Sequence, residues 1–164
     1  MEAVVKKADE GYLAIFERQF HHSVEQVWNW LTQPEKLSEW LAEAEVELKE
    51  GAPFTLTFTK TEGNVMAGTV QKIEVPYVFE FIWETDSPEA SLVHWELQNK
   101  GQGCQLYFTQ NFSDPTHLPT MLAGWHVHLE MLSSSLDGKE LDFPWDRWEE
   151  LHIYYAEKIA AAFI

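Results

Sequence analysis

The sequence predicts an α+β domain, an antiparallel sheet with its helices gathered on one face. Three observations carry that reading. Between about residues 44 and 112, apolar side chains alternate with polar ones, the period of half-buried strands. From Leu118 to Leu136 they recur instead at steps of four and three, one stripe of a long helix. The breaks between the alternating runs are too short for crossover helices, so neighbouring strands run antiparallel.

Taken in order, residues 12–20 are rich in aromatic and β-branched types and predict a strand. Ser23-Val24-Glu25-Gln26 is a capping box, and Val24, Val27, Trp28 and Leu31 then fall on one helical face. Thr32-Gln33-Pro34-Glu35 repeats the start signal for a second short helix through Leu37, Trp40 and Leu41. Val46 and Leu48 alternate before the Gly51-Ala52-Pro53 break, and Phe54, Leu56 and Phe58 alternate with threonines after it. Glu62-Gly63-Asn64 turns into a strand ending near Val75-Pro76. Tyr77, Phe79, Phe81 and Trp83 share a face of the next strand, and Val93, Trp95 and Leu97 share one on the strand after it. Cys104, Leu106, Phe108 and Phe112 do so on the last, giving about seven strands. In the long helix the stripe is Leu118, Leu122, Trp125, Leu129, Leu132 and Leu136, with Asp137-Gly138 as its C-cap. Pro144 opens a final helix whose apolar face is Trp148, Leu151, Tyr155 and Ile159.

The chain of 164 residues has room for one domain, 1–164, with a core of about 12–136 and a helical extension of about 139–164. Its 27 acidic residues against 11 basic ones leave a net charge of −16. That balance argues against nucleic acid or an anionic membrane as partner, since both need Lys and Arg. Disorder is excluded by a composition that is 45% hydrophobic and 14% aromatic. A single cysteine, Cys104, rules out an intrachain disulfide and suits a reducing compartment. The first thirty residues are broken by charges and hold no signal-peptide core, so a cytoplasmic location is expected.

Few residues form a catalytic pattern. No two of the seven histidines lie four apart on a helix, so no metal site is expected. His126 and His128 are two apart, which splays them by about 200°. His94 and Glu96 share the polar face of a strand, where they are solvated neighbours. Cys104 alternates with apolar residues and is expected to be a buried small hydrophobe. No glycine-rich phosphate loop is present, and neither a catalytic residue nor a cofactor is expected. What stands out is the aromatic load. Trp40, Phe58, Phe81, Trp83, Trp95, Phe108 and Trp125 all fall on faces that point between sheet and helices. Rings fill cores, but so many under one long helix also suit the walls of a small-molecule pocket.

Several stretches resemble a known family in order and spacing. These are Arg18-x-Phe20, Ser23-Val-Glu-Gln-Val27-Trp28, and Leu31-Thr32-x-Pro34-Glu35-x-Leu37-x-x-Trp40. Gly51-x-x-Phe54, Gly68-x-Val70-x-x-Ile73-Glu74-x-Pro76, Phe81-x-Trp83 and Gly124-Trp125-x-x-x-Leu129-x-x-Leu132 continue them. Together they resemble the activator of heat-shock-protein-90 ATPase homologue family, within the START-like or Bet v 1-like (SRPBCC) superfamily. The resemblance implies a helix-grip fold, an antiparallel sheet wrapped around a long C-terminal helix over a cavity. The chain departs from the family at Ala52, where a second glycine is common, and at residues 139–164, an added helix that could lid the cavity or build a dimer contact.

The expected function is binding of a small hydrophobic or aromatic, lipid- or polyketide-like ligand between sheet and helix. Trp40, Phe58, Phe81, Trp83, Trp95 and Trp125 would wall the site, with His126 or His128 giving one orienting hydrogen bond. Two alternatives stand beside it. One is a chaperone-associated interaction module steered by the acidic surface. The other is a cyclase or dehydratase acting on polyketide-like substrates. The expected assembly is a monomer or homodimer.

Overall fold

The computed structural model describes residues 1–163. Ile164, the last residue of the expected extension, lies outside the described residues. Eight strands form one antiparallel sheet: β1 (Val4–Ala8), β2 (Gly11–Phe20), β3 (Glu43–Val46), β4 (Pro53–Thr57), β5 (Val65–Glu74), β6 (Val78–Trp83), β7 (Ser91–Lys100) and β8 (Gly103–Phe112). Their order across the sheet is β1-β2-β8-β7-β6-β5-β4-β3. The described residues also form four helices: α1 (Val24–Thr32), α2 (Pro34–Trp40), α3 (Leu118–Leu136) and α4 (Trp145–Phe163).

The topology follows from chain order. Strands β3 to β8 form a meander, each pairing with its neighbour in sequence. The tandem α1 and α2 carry the chain from β2, beside β8, to β3 at the opposite edge, so they cross the face that α3 also covers. The α+β class and helix-grip architecture expected from the sequence are therefore those of the protein.

Local signals act as expected, with differences. Ser23 caps α1, its Oγ accepting from the Gln26 amide at 3.1 Å. The reciprocal half of the capping box is absent, because Gln26 Oε1 instead meets His22 Nδ1 at 3.3 Å. Helix α2 starts at Pro34 with Gln33 as N-cap. Thr32 turns its hydroxyl back to the Trp28 carbonyl at 2.8 Å. Gly138 adopts φ +85°, and the amides of Gly138 and Lys139 close α3 on the carbonyls of Ser135 and Ser134.

Two expectations need correction. The sheet has an additional edge strand, β1, which pairs Val4 with Ile15 through Ala8 with Gly11. Tyr77 does not share the inward face of β6, because it lies in the turn before Val78 and is 43% exposed.

Helix α3 is buried on more than one side. Its predicted stripe is buried throughout, and Ala123, His126, Val127, His128, Met131 and Ser135 are buried outside it. The cover comes from α4, which lays Leu151, Tyr155 and Ile159 into the core. A helix enclosed in this way is hydrophobic almost all round, as the long helix of a layered fold must be.

Candidate functional site

The rings predicted on inward faces do meet, but they form two zones. Trp95, on a central strand, is enclosed by aromatic neighbours: Phe81 at 5.4 Å, Phe79 at 5.7 Å, Phe108 at 6.1 Å, Trp125 at 6.2 Å and Trp40 at 6.3 Å between centroids. Trp40, Phe81 and Trp95 are all buried in this cluster, which is packed core. The Trp95 Nε1 has no hydrogen-bond partner among the described residues. Trp40 Nε1, by contrast, donates to the Trp30 carbonyl at 2.8 Å.

The second zone is a cleft of about 290 Å³ beside that core. It lies between the N-terminal half of α3 and the ends of β5 and β6. Phe58, Trp83, Trp125 and His128 form its ring-bearing wall, with Leu41, Met66 and Met121 between them. Thr61, Asn64, Glu84 and Thr120 give it polar groups. A smaller cleft of about 190 Å³ shares Trp83, Glu84 and Met121 with the first. Those three side chains therefore separate two spaces. Gly124 borders the main cleft from within α3, and a Cβ built on it would meet nothing within 4 Å.

Polar groups orient this wall. Trp125 Nε1 donates to Gln110 Oε1 at 2.8 Å, and Gln110 Nε2 donates to Ser91 Oγ at 2.8 Å. Gln110 and Ser91 are buried, so the chain anchors the indole edge-on from behind. His128 Nδ1 lies 2.9 Å from the Trp40 carbonyl oxygen, which can only accept. Burial, the largest effect, pushes the His128 pKa down to about 4, and this hydrogen bond opposes the shift. The imidazole is therefore neutral at pH 7, with its hydrogen on Nδ1. Glu84 stands where β6 ends, at a φ of +57° that side-chain-bearing residues seldom adopt.

His126 does not belong to the cleft. It points to the opposite side of α3, where its Nδ1 lies 2.8 Å from the Tyr155 hydroxyl of α4. Burial first, and then the charge of Arg18, hold its pKa down at about 4. Glu130 Oε2 lies 3.6 Å from His126 Nε2 and is gripped through both oxygens by Arg147, at 3.1 and 3.0 Å. No residue of α4 lines the main cleft, so the helix is a brace behind α3 and not a lid over that opening.

The remaining candidates fall elsewhere. His94 sits on the outer face between Glu80 at 2.9 Å and Glu96 at 3.3 Å. Cys104 is buried, and burial pushes its thiol up to about 11, leaving it unreactive. Among the described residues no three His, Cys, Asp or Glu side chains gather as a metal site. Among the described residues no helix is long and apolar enough to cross a membrane.

The cleft residues not anticipated from sequence are chiefly Gly124, Glu84, Met66 and Met121. Gly124 carried a usable signal, because a glycine inside an otherwise strong helical stripe weakens the helix and needs a reason. Glu84 carried none, since its strain exists only in the folded backbone.

A layered antiparallel sheet gripping a long helix, with an aromatic cleft at one end, defines a helix-grip protein of the START-like class. The chain belongs to the activator of Hsp90 ATPase homolog 1-like family, whose pattern matches residues 21–137. No curated protein matches it. Among solved structures it is similar to CalU16 of Micromonospora echinospora, at 22% identity over 95% of this chain and 96% of that one, with a TM-score of 0.78. A protein of Mesorhizobium loti, MLL2253, is 26% identical over 79% of this chain and 99% of its own, with a TM-score of 0.69. DynU16, a protein of the dynemicin biosynthetic locus, is 19% identical with a TM-score of 0.71. That likeness covers 81% of this chain and 49% of DynU16.

Proposed function

We propose that the protein binds a planar, largely apolar molecule of aromatic or polyketide-like chemistry in the cleft between sheet and α3. The observation that carries this reading is the standing space beside a well-packed core. Phe58, Trp83 and Trp125 line it, and at Gly124 a Cβ would meet nothing within 4 Å. Concave clefts lined by rings with a few polar groups are the usual small-molecule sites. Family membership supports small-molecule binding, and the biosynthetic locus that houses DynU16 supports a ligand of natural-product type.

The roles divide accordingly. Trp83 and Phe58, 5.9 Å apart and tilted by 44°, give a half-buried pair of rings on one side of the cleft. Trp125, tethered by Gln110, is the fixed wall. Trp40, Phe81 and Trp95 support that wall from behind without reaching the ligand.

Titration of the amide-resolved protein with a panel of planar aromatics and acyl compounds tests the reading. Ligand-dependent shifts at Phe58, Trp83, Gly124 and Trp125 are expected. A panel that leaves those amides unmoved would remove it.

A further inference from the structure

We propose that His128 gives the cleft a lone-pair acceptor in a space without cationic groups, so that its preferred occupant is an uncharged aromatic carrying a hydroxyl donor, and not a carboxylate. The proposal rests on the ligand-binding reading above and specifies the chemistry of that same site.

The Trp40 carbonyl oxygen, 2.9 Å from His128 Nδ1, obliges that nitrogen to carry the hydrogen. The ring is 6% exposed and neutral, so Nε2 keeps its lone pair. Nε2 makes no hydrogen bond with the described residues and is not sealed from solvent, and the ring borders the cleft. Its aromatic neighbours Phe58, Trp125 and Phe143, at 6.0, 6.5 and 5.3 Å, bring no donor to it. The indole N–H of Trp125 is already committed to Gln110.

The charge pattern narrows the ligand further. Neither Lys nor Arg lines the cleft, while Glu84 does. Lys60, the cation whose charge is felt at His128, is held by Glu140 at 3.0 Å and by the Leu141 carbonyl at 3.2 Å. A carboxylate entering the cleft would lose its water beside Glu84 and a lone pair, with nothing positive to replace it. A phenolic or enolic hydroxyl would instead replace water as the donor to Nε2. A net hydrogen bond of ordinary strength predicts a preference of roughly 3- to 10-fold over the same ligand without the donor.

Three matched probes test this on the full chain at pH 7.5: 2-naphthol, 2-methoxynaphthalene and 2-naphthoate. The naphthol should bind roughly 3- to 10-fold more tightly than the methyl ether, and the naphthoate more weakly than both. In His128→Phe the naphthol advantage should vanish while the ether still binds. In the wild-type protein, with no substitution needed, the imidazole Nε2 resonance of His128 should shift with naphthol and stay in place with the ether. Equal binding of naphthol and ether, a silent Nε2, an advantage that survives His128→Phe, or tightest binding of the naphthoate would each overturn the proposal while leaving the cleft a binding site. Failure of all three probes to bind would overturn both.

Discussion

The Tyr155 hydroxyl lies 2.8 Å from His126 Nδ1 and so ties α4 to the back of α3. The same oxygen accepts the Ala3 amide at 2.9 Å, which leaves its own hydrogen for the imidazole. One buried hydroxyl thus joins the N-terminus, the long helix and the final helix. Tyr155→Phe keeps the ring and strands two buried polar groups, so it should cost about 1–3 kcal/mol in urea unfolding. A loss well under 1 kcal/mol would mean that apolar contact alone holds α4.

Histidine burial makes stability depend on pH. His126 and His128 both have folded pKa values of about 4, against an ordinary value of 6.5. Above pH 6.5 both are neutral whether folded or not, and the stability tied to their neutrality is fully present. As pH falls from 6.5 toward 4, the unfolded chain takes up protons that the folded one refuses, so stability drops. Below about 4 the loss levels off. Arg18, Arg147 and Glu130 surround His126, and Lys60 acts on His128. Moving from pH 7.5 to 5.0 should cost on the order of 1–2 kcal/mol per histidine in chemical denaturation. A flat profile across that interval would show that neither ring is held neutral.

The fold was largely legible because its signals are periodic. Aromatic and β-branched content identified β2, alternation identified β3 to β8, and the four-three stripe identified α3. The missed strand, β1, has Lys6 and Lys7 side by side and only Val5 half-buried, so period-two contrast is lacking. It is an edge, where charge discourages pairing with other chains. The site was legible only by face. Phase shows that Trp83 and Trp95 both point inward, but not that Trp95 lies mid-sheet within packed rings while Trp83 stands at the end of β6 beside open space. The 200° splay of His126 and His128 likewise shows that they diverge. Which one meets the cleft depended on where α4 packs, and that contact joins parts of the chain with no shared local pattern.

Gln110 is the polar residue that the alternation of β8 conceals, an amide at an inward position between Phe108 and Phe112. It accepts from Trp125 and donates to Ser91. Gln110→Leu preserves bulk and removes both bonds, leaving a buried indole N–H unmatched. We expect about 1–3 kcal/mol of lost stability. The Trp125 indole proton resonance should also broaden or move as the ring loses its tether. Unchanged stability together with an unchanged indole resonance would show that packing alone fixes Trp125.

Gly124 offers the most direct test of whether the cleft is kept open for use. Glycine inside a helix costs roughly 0.8–1 kcal/mol relative to alanine. At this position no tight contact demands it, because a Cβ would enter free space. Gly124→Ala should therefore stabilise the protein by about 0.5–1 kcal/mol, read as a higher urea midpoint. Gly124→Leu sends a larger side chain toward the space bounded by Trp83, Trp125 and His128. It should match or exceed wild-type stability while weakening binding of 2-naphthol by at least about tenfold, a loss of roughly 1.4 kcal/mol. Stability and binding then move in opposite directions, which general unfolding cannot produce. Undiminished binding in a folded Gly124→Leu protein would place the ligand elsewhere.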